Sequence, residues 1–141
     1  MELVFNKTEL MGYLDEVFPQ VRDDFTVEDL SLGSVTMRLN VAERHLRPGG
    51  TVSGPSMFAL ADVAVYALVL AHLGAEALAV TTNASFDFMR KPESGRDLLG
   101  QARLLKLGRS LAVGDVLLFS EGKPEPVARS TMTYSIPPKR G

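Results

Sequence analysis

The sequence predicts an α+β fold in which a curved antiparallel sheet wraps around one long buried helix, with a short helix at the N-terminus. The first observation is the run "SGPSMFALADVAVYALVLAHLG", residues 53–74, which holds one formal charge, Asp62. The second is a series of four strand-like runs after it, joined by short turn-like links that favour antiparallel neighbours. One face of such a sheet can cover most of an apolar helix. The opposite face would stay exposed unless another subunit covered it, so we expect a homo-oligomer.

Length, composition and charge exclude several classes of protein. With 141 residues, 23% of them charged, the chain is predicted to be one globular domain spanning residues 1–141. The net charge is −2 and the basic residues are scattered, which argues against nucleic acid as a partner.

The lack of cysteine excludes disulfides, thiolate metal sites and a cysteine nucleophile, and His45 and His72 are too far apart for a local metal motif. The N-terminus lacks the features of a secretion signal, so we expect a cytoplasmic protein.

The apolar run at residues 55–73 approaches the ~20 residues that a membrane-spanning helix needs. However, Asp62 lies near its centre and no basic residues flank it. A charge at mid-bilayer costs at least ~2.5 kcal/mol. The run is therefore predicted as a helix enclosed by protein on nearly every side, and no membrane is expected as a partner.

Two elements and a loop are predicted before the long helix. Asn6 followed by Glu9 indicates a capping box, the apolar residues after it recur at helical spacing, and Pro19 ends this short helix. Residues 31–41 alternate apolar and polar side chains and predict one half-buried strand. The segment that follows, residues 42–55, is rich in turn-forming residues and is predicted as a loop.

The long helix carries signals at both ends. Ser53 is a good N-cap, and Pro55 suits the first turn, where its missing N–H costs nothing. Gly74 is placed to act as the C-cap. We therefore expect this helix to begin at Ser53 or Gly54 and to end at Gly74.

Four strands are predicted after the long helix, at residues 77–89, 97–107, 110–120 and 125–136. In the first of them the period of two places Thr81 and Asn83 on the same face. The apolar side chains that alternate along the third and fourth strands are Leu111, Val113, Leu117 and Phe119, and Ala128, Met132, Tyr134 and Ile136.

Four stretches of the chain carry a family resemblance: "GTVSGPSMFALAD" from Gly50, "TTNASFDFMRKP" from Thr81, "LGRSLAVGDVLLF" from Leu107 and "PVARSTMTYSI" from Pro126. In this order they resemble the hotdog-fold thioesterases, in particular the PaaI-type acyl-CoA thioesterases of phenylacetate degradation. The resemblance covers roughly residues 31–136. It implies the hotdog fold and the hydrolysis of an acyl-CoA thioester to the free acid and CoA.

The first stretch departs from the family pattern, which reads Gly-Thr-Val-His-Gly-Gly, a few small or apolar residues, then Leu-Ala-Asp. The family's histidine falls on Ser53, its second glycine on Pro55, and its Asn or Gln on Arg47. The first glycine and the aspartate remain, as Gly54 and Asp62. The altered polar positions leave an alternative function, a non-catalytic acyl-CoA binding or sensing module with the same fold.

Gly54, Asp62 and Thr81 are the predicted catalytic residues. A helix N-terminus offers unpaired amides that stabilise a developing oxyanion, and Gly54 allows a thioester to approach closely, whereas Pro55 has no N–H to donate. Asp62 would act as a general base or as a nucleophile; the alternative is a carboxylate hydrogen-bonded inside the core. The resemblance implies that Thr81 orients the water beside this carboxylate; an ordinary strand threonine is the alternative.

Gly54 and Asp62 are eight residues apart, which is ~12 Å along one helix. Because hydrogen bonds reach only ~3 Å, one thioester carbonyl cannot contact both groups of the same chain. If both serve one substrate, they come from two chains. The resemblance likewise implies sites at a dimer interface that pair the glycine of one chain with the aspartate of the other. We expect a dimer or a homotetramer.

The predicted substrate-binding residues are Arg47, Ser53, Asn83, Arg90, Lys91 and Arg109. Arg47 would contact CoA phosphates or the thioester oxygen; a place in a solvated loop is the alternative. The last three of the set, with Lys106, would form a basic rim for the nucleotide part of CoA; solvated surface charges are the alternative. Ser53 is predicted as an N-cap rather than a nucleophile, because no histidine is placed to activate it. Coenzyme A enters only as part of the substrate, and no separate cofactor is expected.

The two histidines and three large residues of the long helix receive simpler assignments. His45 is predicted as a surface loop residue, with an approach to the site from the loop as the alternative, and His72 is predicted either as a core residue or as a favourable charge at a helix C-terminus. Core packing is predicted for Met57, Phe58 and Tyr66; the lining of an acyl pocket is the alternative.

Overall fold

The structure, a computed structural model, describes residues 1–75 and 78–138, so Ala77, the first residue of one predicted strand, lies outside the described residues. The two α-helices and six strands of the described residues are α1 (Lys7–Val17), β1 (Phe25–Ser31), β2 (Ser34–Leu39), α2 (Gly54–Leu73), β3 (Val80–Phe88), β4 (Leu98–Leu107), β5 (Leu111–Ser120) and β6 (Pro126–Ser135).

These strands form one curved sheet around α2. Their order is β1-β2-β4-β5-β6-β3, and every neighbouring pair is antiparallel. α2 packs against the inner face of the sheet, and α1 packs against β1 and α2. The predicted fold class, a curved antiparallel sheet around one long helix with a short N-terminal helix, is confirmed.

The predicted helix ends are confirmed by their hydrogen bonds. The Asn6 side chain accepts from the Glu9 amide at 2.8 Å, and the Glu9 side chain accepts from the Asn6 amide at 2.9 Å, which completes the capping box of α1. Ser53 caps α2 by accepting from the Ser56 amide at 3.2 Å. At the other end of α2, the Gly74 N–H donates to the Leu70 carbonyl at 2.8 Å.

The segment before the long helix contains a hairpin, whereas the sequence predicted a single strand at residues 31–41. The missed strand is β1, which pairs with β2 through a turn in which Gly33 has a φ of 76°, a conformation that favours glycine. β1 has a bulge between Val27 and Asp29, so its side chains do not alternate with a period of two. That irregularity hides the strand from a search for alternation.

α2 is enclosed by protein, as predicted. By length and composition it could cross a membrane, but most of its residues are buried inside the domain. The N-terminal segment helps to cover it, because the Val4 N–H donates to the Ala71 carbonyl at 2.7 Å. The apolar character of this helix is therefore that of a core element.

Two glycines on the inner face of the sheet, Gly100 of β4 and Gly114 of β5, allow α2 to lie close to it. A Cβ on Gly114 would lie 2.9 Å from a methyl group of Val65, closer than carbon atoms normally approach. The inner face of β5 therefore carries no side chain at the point where Val65 of α2 lies against it. The alternating residues noted in the sequence of this strand lie on the outer face: Leu111, Val113, Leu117 and Phe119.

Replacing Gly114 by alanine tests this close approach. We expect Gly114→Ala to lower the free energy of unfolding by about 1–3 kcal/mol, because Val65 sits on a rigid helix and cannot move aside. Urea denaturation measures the change. In the double variant with Val65→Ala the clash is relieved, so the loss should be smaller than the sum of the two single losses. Strict additivity would contradict the proposed contact.

Candidate active site

Asp62 lies in the middle of α2 and is half-buried. The Thr81 hydroxyl, on β3, donates a hydrogen bond to Asp62 Oδ1 at 2.5 Å. The structure therefore brings together the two side chains that the sequence predicted to act on one water. The contact joins the core helix to a strand at the edge of the sheet.

Tyr134 is a third member of this cluster, and the sequence analysis assigned it only to an apolar strand face. Its phenol donates to Asp62 Oδ1 at 2.6 Å and lies 2.9 Å from the Asp62 backbone carbonyl. Burial, and then the charge of Asp62, raise the pKa of Tyr134 above its ordinary value. The phenol therefore remains protonated and acts as a donor. The period of two did place Tyr134 on the same face as Ala128 and Met132, which is the buried face of β6, but it does not identify what the side chain contacts there.

Asp62 also borders a cavity of about 400 Å³. One wall comes from the end of α1 and the turn after it, a segment for which the sequence suggested no role at the site. The carboxylate is thus both hydrogen-bonded internally and open to a space that could hold a ligand. The lining residues are Val17, Phe18, Gln20, Asp62, Val63, Tyr66, Ala79, Val80, Thr81 and Tyr134.

A second cavity, of about 410 Å³, lies at the N-terminus of α2. It brings Gly54 together with three predicted substrate-binding residues, Arg47, Arg90 and Lys91. The remaining lining residues are Thr51, Val52, Met57, Phe88, Met89 and Pro92. The two cavities share no lining residue, so within one chain Gly54 and Asp62 face different spaces.

The N-terminus of α2 has few amides to offer a ligand. The Ser56 amide is engaged by the Ser53 side chain, which also donates to the Ser56 hydroxyl at 3.1 Å. Pro55 carries no N–H. The first-turn amide at Gly54 has no partner inside the helix, because the first amides of any α-helix lack one. Gly54 therefore carries the first-turn amide that this helix end can offer to a ligand, while Ser53 serves as the cap.

Asn83 does not share a face with Thr81, so this prediction is wrong. Thr81 pairs with Tyr134, but Asn83 pairs with Thr133, because a bulge at Thr82 adds one residue to β3. Paired residues in a sheet point to the same face, so Asn83 lies on the outer face, away from Asp62. The assignment of Asn83 to substrate binding loses its basis.

Arg109 lies at the opposite end of the molecule from Gly54. It lines a cavity with Leu73, at the C-terminus of α2, and with Ile136. The predicted basic rim of four residues therefore does not form around one cavity of a single chain. Arg90 and Lys91 lie together, and a role for Arg109 in substrate binding stays a prediction.

His45 is buried, so its prediction as a surface residue is wrong. The short 3-10 helix Glu43–His45 turns the ring inward, where Nδ1 accepts from the Ala42 amide at 2.8 Å and Nε2 lies 3.2 Å from Asp24 Oδ1. The His45 carbonyl accepts from the Ser53 amide at 2.8 Å. Through this bond the loop holds the residue that caps α2.

His72 is a core residue, one of the two roles predicted for it. Its Nδ1 lies 2.9 Å from the Leu68 carbonyl, and its Nε2 accepts from the Gly33 amide at 3.1 Å. A ring that donates at one nitrogen and accepts at the other is neutral. His72 therefore links the end of α2 to the β1–β2 turn rather than supplying a charge.

Phe58 is partly exposed, whereas Met57 and Tyr66 are buried as predicted. Its ring lies 5.9 Å from that of Phe86 on β3. The core assignment is therefore wrong for Phe58, because the edge strand covers only one side of its ring.

Known proteins similar to this chain agree with this fold. A family model described as the thioesterase superfamily matches residues 49–127, which include Gly54, Asp62 and Thr81 but not Tyr134. Human acyl-coenzyme A thioesterase 13 is 27% identical over 117 residues, which cover 82% of each chain.

Solved structures are similar over most of the chain. The crystal structure of a candidate thioesterase from Silicibacter sp. TM1040 is 80% identical, with a TM-score of 0.93, and the match covers 98% of this chain and 96% of that one. A mutant of phenylacetic acid degradation protein PaaI from Thermus thermophilus is 28% identical, with a TM-score of 0.72, covering 84% and 99% of the two chains. The hotdog fold that the resemblance implied is confirmed.

Proposed function

Since the chain belongs to the thioesterase superfamily and is a thioester hydrolase, we propose that it hydrolyses acyl-CoA thioesters to the free acid and CoA. The observation that carries this proposal is the Asp62 carboxylate, held by the Thr81 hydroxyl at 2.5 Å beside a cavity of about 400 Å³. The name of the human relative supports CoA as the thiol of the substrate.

Asp62 would attack the thioester carbonyl directly or activate the water that does. Among the described residues the hydroxyls of Thr81 and Tyr134 both donate to Oδ1 of Asp62. Oδ2 would therefore be the oxygen that attacks the carbonyl or takes the proton from water. If water attacks, Asp62 takes its proton, the carbonyl becomes a tetrahedral oxyanion, and collapse of that intermediate gives the free acid and expels the CoA thiolate, which takes the proton to leave as the thiol. If Asp62 attacks directly, collapse leaves an acyl–Asp62 anhydride and the CoA thiolate; water then hydrolyses the anhydride to the free acid and the Asp62 carboxylate, and the proton released goes to the thiolate. The Gly54 amide would stabilise the oxyanion. The groups of the protein and water suffice, and no cofactor beyond the CoA of the substrate is required.

The two groups that act on the thioester, the Asp62 carboxylate and the Gly54 amide, would come from two subunits. Gly54 and Asp62 border separate cavities and are ~12 Å apart along α2. One carbonyl cannot reach both within a chain. A shared site is the arrangement in which both act on one substrate.

β3 offers the means of joining two chains. It pairs only with β6 among the described strands, carries a single charged residue, Asp87, and exposes 56% of both Val80 and Phe88. Such an edge is suited to pairing with another strand. Thr81 lies at the Asp62 cavity and Phe88 at the Gly54 cavity, so antiparallel pairing of two β3 strands would set one cavity of each kind side by side.

The basic residues near Gly54 would bind the phosphates of CoA. Arg47, Arg90 and Lys91 border its cavity, and Arg90 is held in place by donating from Nε to the Pro126 carbonyl at 3.1 Å. The acyl group would enter the cavity beside Asp62. A homotetramer would in addition cover the outer face of the sheet, where Leu111 and Leu117 are exposed.

A panel of thioesters tests this function. Purified protein is offered acyl-CoAs of increasing chain length and aryl acyl-CoAs, phenylacetyl-CoA among them, and thiol release is followed with a thiol reagent. We expect turnover of at least one of them, and a higher KM for the matching acyl-pantetheine, which lacks the nucleotide. No turnover of any ester would overturn the proposal, and micromolar binding without turnover would identify a non-catalytic module instead.

A further inference from the structure

The hydroxyl of Tyr134 makes two polar contacts with Asp62. Its phenol lies 2.6 Å from Asp62 Oδ1 and 2.9 Å from the Asp62 backbone carbonyl, so one hydroxyl bridges the side chain and the main chain of the same residue. Thr81, the strand partner of Tyr134, reaches the same Oδ1. Two neighbouring strands thus converge on one carboxylate oxygen.

The ring of Tyr134 is itself held in position. It stacks on Tyr66 with the ring centroids 6.0 Å apart, and Tyr66 in turn meets the edge of Phe18 at 6.3 Å. The Tyr134 side chain is buried, with 2% of the residue exposed. Its hydroxyl is therefore a rigid donor rather than one that swings between partners.

We propose that Tyr134 is a positioning residue for the hydrolytic reaction, which fixes the Asp62 carboxylate with Oδ1 bound and Oδ2 free to act on water or on the thioester. A carboxylate on a helix can rotate about its side-chain bonds, and a displacement of about 1 Å from the productive geometry costs roughly 100-fold in rate. The bridge to both the carboxylate and its own backbone restricts that rotation. Burial keeps the phenol protonated, so the donor persists across the working pH range.

This proposal rests on the proposed function, and its test uses Tyr134→Phe, which keeps the ring and removes the hydroxyl. We expect kcat for the best acyl-CoA to fall roughly 10- to 100-fold while KM changes by less than about threefold. The matched control is Ser130→Ala, which removes a buried hydroxyl on the same face of β6 that donates to the Ser85 carbonyl at 2.8 Å, away from Asp62. It should keep kcat near that of the unaltered protein.

A double-variant cycle separates positioning from general support of the fold. In an Asp62→Asn background the carboxylate is gone, so Tyr134→Phe should lower kcat no further. The positioning role would be overturned if Tyr134→Phe lowered kcat no more than Ser130→Ala does. It would also be overturned if Tyr134→Phe lowered kcat as much in the Asp62→Asn background as in the unaltered protein. Either result would leave the proposed function intact. An unaltered protein that turns over no thioester would overturn both. Each of these proteins should unfold in one cooperative transition, so that kcat is compared between folded proteins.

Discussion

Replacing Asp62 by asparagine is expected to lower kcat/KM for an acyl-CoA thioester by roughly 10²- to 10⁴-fold, the contribution typical of a positioned acid–base group. Asparagine keeps the shape of the side chain, and its carbonyl oxygen can still accept from the Thr81 and Tyr134 hydroxyls. The loss would therefore come from chemistry rather than from unfolding. Steady-state kinetics with thiol detection measures it.

The control for this variant is Asp23→Asn, which removes one exposed carboxylate in the turn before β1. Both variants should retain the thermal unfolding transition of the unaltered protein, and only Asp62→Asn should lose activity. Undiminished turnover by Asp62→Asn would show that this carboxylate serves the core alone.

Replacing Gly54 by alanine is expected to reduce kcat/KM by roughly 100-fold, because a methyl group at the first residue of α2 would hold the thioester away from the amide. The protein itself has room for it. A Cβ at this position would lie 3.5 Å from the ring of Phe88, an ordinary van der Waals distance. Alanine also suits a helix better than glycine, by up to about 1 kcal/mol.

In Gly54→Ala we therefore expect kcat/KM to fall while the free energy of unfolding stays the same or rises. A general defect in folding would lower both. Gly12→Ala provides the comparison, since its Cβ would meet nothing within 4 Å on an exposed side of α1. That variant should gain stability and keep full activity. Equal kinetics for the two variants would remove Gly54 from the active site.

The local features of this protein could be predicted from its sequence because their causes are local. The cap at Ser53, the glycine at position 74 and the largely apolar run between them define α2 without any knowledge of its neighbours. The contact between Asp62 and Thr81 was expected only through the family resemblance. Its geometry depends on how β3 returns along the helix, which no local pattern contains.

The errors in prediction have two physical causes. Bulges in β1 and β3 break the period of two, so β1 was missed and Asn83 was placed on the wrong face. Contacts between distant segments are the second cause. Tyr134 and Asp62 are 72 residues apart, and alternation along β6 indicates that the tyrosine faces inward but not that it meets an acid.

The open edge of β3 has a consequence for mixtures of altered chains. If two copies join along it, Asp62→Asn chains and Gly54→Ala chains are each defective alone, yet a hybrid pair contains one site built from the two native residues. Random exchange would restore about a quarter of full turnover, since half of the pairs are hybrids with one intact site of two. Complementation of this kind would identify the functional unit as a pair of chains.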